Sequence, residues 1–434
     1  MPLLLTFIAI LFLVLLIAWL KLDTFISFLL VSIGLGLMSG MEVSQIGAAI
    51  QKGVGGTLGD LVLIVGFGAM LGKLVADSGA AQRITDALIG IFGTKHIQWG
   101  LALAGFVIGI PLFYNAGFVI VIPLIFMIST SAGLPLLYVG IPMLAALSVA
   151  HGYLPPHPSP AAIASQLNAD LGKTLLYGIL VAIPAIAIAG PIFGKTLTRF
   201  TPKPDPLLFD VKPRPKETLP GLGISALAAL LPVFLLTAMS GINKLIPGYQ
   251  LIELLADPNF SMLVSVLFAA YALGLRRGLS MKLLSKSMEE AFKGVAMILL
   301  IIAGAGVFKE IMTASGVNQY IAEGLKGIDI SPIILSWAIA AIIRVCVGSA
   351  TVAGLTTVGI LAPLLMQSTV QPELIVLSIG AGSLMFSHLN DGGFWLFKEY
   401  FNLSIKETLL TWSIMETLVS VVGLIGVLIL SLFL

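Results

Sequence analysis

Cysteine, histidine and charge are all scarce in this chain. One cysteine, Cys346, stands among 434 residues, which excludes an intramolecular disulfide and any cysteine-built metal site. The four histidines show no His-Glu-x-x-His spacing, so no metal and no cofactor is expected. Charged residues make up 10% of the chain, against about a quarter in soluble domains. The 23 basic and 21 acidic residues form neither a basic groove nor an acidic tail, and nothing points to nucleic acid. A removable leader is not expected: residues 2–20 lack a basic start and an Ala-x-Ala cleavage site, and read as a spanning helix.

What is abundant is apolar sequence. Hydrophobic residues form 58% of the chain and its mean hydropathy is +1.08, which excludes a water-soluble fold. Several runs are long enough to cross a bilayer, which takes about 20 residues each. The expected fold is an all-α polytopic membrane protein. Spans fall at about 3–20, 24–40 and 57–77, followed by a nearly continuous apolar stretch over 98–196. Two clusters interrupt that stretch: Gly109, Pro111, Asn115 and Gly117, and then the string His151-Gly-Tyr-Leu-Pro-Pro-His-Pro-Ser-Pro160. Residues 197–219 are a proline-rich polar linker. Beyond it lie spans at about 220–240, 259–275 and 295–313, interrupted segments at 332–368 and 372–402, and a last span at 408–433.

A constant shift of 237 residues relates the two sides of the linker. It pairs Ser78-Gly79 with Ser315-Gly316, Gly90 with Gly327, Ala116-Gly117 with Ala353-Gly354, Pro135 with Pro372 and His151 with His388. The expected organisation is therefore two membrane repeats, 1–196 and 220–434, joined by a cytoplasmic linker at 197–219. Each holds about five transmembrane helices, a re-entrant hairpin (98–131 and 332–368) and one broken helix (134–168 and 372–402). An odd span count inverts the second repeat. With both termini outside, 16 lysines and arginines fall on inside loops and 4 on outside loops, and Lys73, Lys309 and Arg344 remain in apolar segments.

Unpaired backbone groups in hydrocarbon cost several kcal/mol each, so broken segments at membrane depth mark buried or water-filled sites. In transporters such breaks occupy equivalent places in two repeats and aim half-helix N-termini at an anionic substrate. The first hairpin tip offers Tyr114, Asn115 and Gly117; the second offers Ser349 and Thr351, although small residues there also serve close helix packing. The broken helices contribute His151, His157, His388, Asn390 and Asp391. Asp391 is the one acid within the breaks themselves, 151–160 and 387–393, a functional candidate by default and otherwise a structural partner of Arg344 or a histidine. Arg344, four residues before the second tip, either pairs a carboxylate or snorkels to an interface. Lys73 and Glu310, also related by 237, read as snorkelling or structural.

Four motifs together resemble the gluconate:proton symporter family of the ion transporter superfamily over essentially the whole chain. They are Phe113-Tyr-Asn-Ala-Gly117, His151 to Pro160, Gly348-Ser-Ala-Thr-Val-Ala353 and Ser387-His-Leu-Asn-Asp-Gly-Gly-Phe-Trp395. The resemblance implies proton-coupled uptake of gluconate or another sugar acid through a bacterial inner membrane, with D-serine as the substrate of some relatives. It also implies a homodimer in which a transport domain moves against a scaffold. On that basis Tyr114, Asn115, Gly117, Ser349, Thr351 and Asn390 are expected to hold the substrate. Asp391, with His151 or His388, is expected to carry the proton, and His157 and Arg344 are secondary candidates. A sodium-coupled carboxylate or amino-acid carrier is the nearest alternative. An intramembrane hydrolase lacks both the His-Glu-x-x-His and the Gly-x-Ser-Gly motif, so an enzyme is not expected.

Overall fold

The computed structural model describes residues 5, 8–9, 11–13, 15–93, 95–112, 114–200, 202, 214–239, 242, 245–246, 248–316, 331–365, 368–389 and 391–434. All regular structure among them is helical. Among the described residues, five helical stretches are long and apolar enough to cross a bilayer: Leu136–Gln166, Leu171–Arg199, Pro258–Arg277, Met281–Ala314 and Ile405–Leu430.

The first side of the linker contains α1 (Thr24–Met38), α2 (Val43–Asp77) and α3 (Ala80–Phe92). Two helices then meet at a sharp tip, α4 (Ile97–Gly109) and α5 (Tyr114–Ala132). Next come α6 (Leu136–Tyr153) and α7 (Pro158–Gln166), separated by a proline-rich break, and α8 (Leu171–Ala187), which continues to Arg199. Past the linker lie α9 (Leu222–Phe234), α10 (Pro258–Ala269) and α11 (Met281–Ala314). They are followed by the paired helices α12 (Pro332–Val347) and α13 (Ala350–Leu365), then α14 (Pro372–Gly382), α15 (Gly392–Tyr400) and α16 (Ile414–Leu430).

The breaks have local causes. At α6, Pro155 and Pro156 carry no N–H, so the chain leaves the helix after Tyr153 and restarts with Pro158 at the first position of α7. At α12, Gly348 takes a left-handed φ of +80° and its N–H returns to the Arg344 carbonyl (2.9 Å), closing the helix two residues before α13 starts. At α14 the chain turns through Ser383–Met385, and Asp391 then caps α15 by accepting from the Gly393 amide (3.0 Å). With 13 and 16 residues, α4 and α12 are about 20–24 Å long, shorter than the roughly 30 Å hydrocarbon layer.

The two sides of the linker are intertwined. The longest packing surface is α2 against α11, where a Cβ added at Gly53 would sit 2.6 Å from Val307 Cα. One apolar core gathers α4, α6, α8 and α16; the other gathers α1, α2, α7, α11 and α13. The broken pair α6 and α7 therefore contributes to both cores and holds the space between them.

Candidate functional site

A cavity of about 950 Å³ lies where the two hairpins and the two broken segments converge. The first residue of each of four helices lines it: Tyr114 of α5, Pro158 of α7, Ala350 of α13 and Gly392 of α15. Helix starts carry partial positive charge, which favours an anion in the shared space; Asp391 and Ser349 already accept from amides of α15 and α13, and α7 opens on a proline without an N–H.

One wall is ionic. Arg344 Nη2 donates to Asp391 Oδ2 at 2.5 Å, with side-chain exposures of 4% and 17%. Ser387 Oγ donates to the same carboxylate oxygen, Trp412 Nε1 donates to Ser387 Oγ (2.8 Å), and Gly393 N donates to Asp391 Oδ1. Asp391 is thus fully engaged. Arg344 is not: it lines the cavity, and its Nε and Nη1 are buried and meet no hydrogen-bond acceptor among the described residues. A guanidinium has five donors, so Arg344 has hydrogen-bonding capacity beyond its bond to Asp391.

Beside this pair lies a polar group that is uncharged apart from one acid. Ser148 and His151 project from one face of α6, and Ser148 Oγ donates to Glu416 Oε1 at 2.5 Å. Three further polar atoms here lack partners among the described residues: Tyr114 Oη, His151 Nδ1 and Glu416 Oε2. The Tyr114 ring packs on His151 and Trp412, with centroids 5.7 and 6.2 Å apart. Buried polar groups without partners are costly, so the five such atoms on residues lining this one cavity make it the candidate ligand site. From buried Glu416 and Arg344 the cavity extends to exposed Asp77, Arg214 and Glu290, with Lys73 paired to Asp77 at 3.0 Å beside them.

The residues singled out from the sequence divide accordingly. Tyr114, His151, Ser349, Thr351, Arg344 and Asp391 line the cavity together. Ser349 Oγ also caps α13 by accepting from Val352 N (3.3 Å). His157 is buried, its ring 5.4 Å from that of His151, and holds the end of α4 through Nε2 and the Gly109 carbonyl (2.8 Å). A Cβ on Gly117 would sit 3.1 Å from Leu147, so this glycine lets α5 approach α6. His388 is half-buried, meets the Val345 carbonyl at 2.9 Å and does not line the cavity. Asn390 and the side chain of Asn115 lie outside the described residues. Glu310 is paired across the long helices with Lys52 (2.6 Å).

Ser148, Trp412 and Glu416 line the cavity and were not among the sequence candidates. Glu416 carried a usable signal, as an acid within the final apolar span. Attention to interrupted segments alone passes over it.

Broken helices around a buried, polar cavity within an all-helical apolar fold define a multi-pass membrane transporter. The same architecture occurs in the crystal structure of the YdaH transporter of Alcanivorax borkumensis. That structure matches with a TM-score of 0.69, covering 94% of this chain and 96% of that one at 17% identity. The GntP family permease profile matches residues 1–433, and the chain belongs to that family. It is 48% identical to the high-affinity gluconate transporter of Escherichia coli K12, over 99% of each chain. It is 44% identical to the Gnt-II system L-idonate transporter of the same organism, over 99% of this chain and 98% of that one. The family is one of permeases, and the chain is a transporter and not an enzyme.

Proposed function

We propose that this permease takes up gluconate or a closely related sugar acid together with a proton, by alternating access across a bacterial cytoplasmic membrane. The observation that carries the reading is Arg344, buried against Asp391 with two donors left free in a cavity ringed by helix starts. The names of the relatives, gluconate and L-idonate transporters, agree with an anionic polyhydroxy substrate.

Charge balance supplies the coupling. The empty site holds Arg344 and Asp391 as a neutral pair. A substrate carboxylate that takes over the guanidinium leaves Asp391 without its cation, in a setting where an unpaired charge is costly. Protonation of Asp391 restores neutrality, so one proton accompanies one monoanion. Electrically this removes a barrier of about 2.3 kcal/mol per 100 mV for an anion moving toward an inside-negative compartment. The titratable groups facing the pair are His151, Tyr114 and Glu416, and His151, half-buried and lining the cavity, is the group to pass the proton. Ser349 and Thr351 at the second tip, with Tyr114 opposite, complete the substrate shell.

The two sides of the linker act as inverted repeats in this proposal. Support comes from helix starts: Val43 and Met281, Ile97 and Pro332, Tyr114 and Ala350, Leu136 and Pro372 are separated by 235–238 residues, close to the 237-residue sequence shift. With both termini outside, the cavity's exposed end at Arg214 and Glu290 faces the cytoplasm, an inward-facing state.

Purified protein in liposomes tests the reading through uptake of labelled gluconate with an imposed inward proton gradient, at fixed sodium and then without it. Accumulation that follows the pH gradient and ignores sodium is expected. Accumulation that requires sodium at fixed pH sinks the proton-coupled reading.

A further inference from the structure

The buried acid of the last span has no place in the charge balance above. Glu416 is 2% exposed and lines the cavity. Its Oε1 is held by Ser148 Oγ at 2.5 Å, its Oε2 has no partner, and no lysine, arginine or histidine pairs with it among the described residues. The charged groups that face it, Arg344 and Asp391, are already bound to each other. Of the two nearby phenols, Tyr153 donates to the Val419 carbonyl (2.6 Å), while Tyr114 is unpartnered.

The buried end of the cavity therefore carries two chemically different sets of atoms. One is the free edge of the Arg344 guanidinium. The other is a set of hydrogen-bonding atoms, Tyr114 Oη, His151 Nδ1 and Glu416 Oε2, drawn from α5, α6 and the α16 segment, with no cation among the three. A simple carboxylate satisfies the first set and leaves the second unpaired. A carboxylate that carries a row of hydroxyls satisfies both. A site built to hydrogen-bond a substrate hydroxyl discriminates strongly against the analogue that lacks it, because its own polar groups are then stranded.

We propose that Glu416, oriented by Ser148, is a specificity residue that hydrogen-bonds the hydroxyl chain of the substrate, separate from the Arg344–Asp391 pair that handles carboxylate and proton. This rests on the sugar-acid reading above, and gives Glu416 a role distinct from coupling. A carboxyl fixed through one oxygen presents the other in a defined direction, which suits reading of one hydroxyl position and its configuration.

The test compares gluconate with hexanoate, the same six-carbon acid without hydroxyls, by competition against labelled gluconate in counterflow exchange. Wild type is expected to prefer gluconate by about 100-fold or more. Glu416→Leu is expected to lower gluconate affinity about 10- to 100-fold while hexanoate changes less than about threefold, so the preference collapses. Ser148→Ala, which frees Oε1, is expected to narrow the preference in the same direction by a smaller factor, and it covers the case in which Glu416→Leu fails to fold. Glu416→Gln, which keeps shape and hydrogen-bonding capacity, is expected to weaken gluconate a few-fold and still accumulate it in response to a pH gradient. Equal loss of both ligands in Glu416→Leu and Ser148→Ala would overturn the assignment, as it denotes general damage to the cavity. Exchange without accumulation in Glu416→Gln overturns it too, by making Glu416 the coupling group. A wild type that shows the preference but ignores the pH gradient refutes the coupling proposal and leaves this one standing.

Discussion

Replacing Arg344 separates substrate recognition from the cost of a broken ion pair. Its guanidinium gives one nitrogen to Asp391 and keeps Nε and Nη1 free. Two hydrogen bonds to a charged group, at about 1.5–3 kcal/mol each, put the substrate's share at about 3–6 kcal/mol, or roughly 10²- to 10⁴-fold in affinity. Removing one partner of a buried pair costs about 3–5 kcal/mol of stability. Here the lower end applies, because Asp391 is 17% exposed and keeps Ser387 and Gly393 as donors. Arg344→Gln is thus expected to lose both affinity and thermal stability, whereas Arg344→Gln with Asp391→Asn regains stability and stays unable to bind. Arg344→Lys keeps the charge without the planar fork and falls between. Calorimetric titration of detergent-purified protein with gluconate, alongside its thermal unfolding midpoint, gives both quantities. If the double variant binds gluconate within threefold of wild type, Arg344 is not the carboxylate ligand and the reasoning fails.

Two further outcomes follow from the packing and from the placement of the histidines. Gly53→Leu inserts a side chain where the Cβ alone meets Val307 Cα at 2.6 Å, and is expected to force α2 from α11 with a loss of about 1–3 kcal/mol, seen as a lower unfolding midpoint. His151→Gln is expected to shift the pH profile of uptake, while His388→Gln, outside the cavity and bonded to the Val345 carbonyl, leaves uptake and its pH profile within about twofold. Uptake rates from pH 5 to 8 in proteoliposomes distinguish the two histidines, and equal effects contradict the geometry.

Helix ends with a chemical signature were legible in the sequence. Pro155 and Pro156 announce the end of α6, and Gly348 the end of α12. Span starts were less legible. The apolar windows begin near 57 and 295, yet α2 starts at Val43 and α11 at Met281. Their first turns carry Gln45, Gln51, Lys282 and Lys286, and a helix turn outside the hydrocarbon has no hydropathy signal. Arg344 and Asp391 were each singled out, but sequence left open whether the arginine pairs or snorkels; only the fold brings positions 47 residues apart to 2.5 Å. The relation of His151 to His388 by the 237-residue shift did not carry over to a shared cavity, since equivalent positions in two repeats need not face one site. Glu416 lies in an uninterrupted run, and its importance becomes visible when Ser148 of α6 is found against it.

The central claim is that substrate anion and proton enter together because both compete around the Arg344–Asp391 pair. Asp391→Asn in proteoliposomes examines it most directly, with gluconate counterflow and pH-gradient-driven accumulation measured on the same preparation. The expected result is exchange at a rate comparable to wild type with no accumulation at any imposed gradient. Accumulation by Asp391→Asn that tracks the pH gradient as in wild type would contradict it.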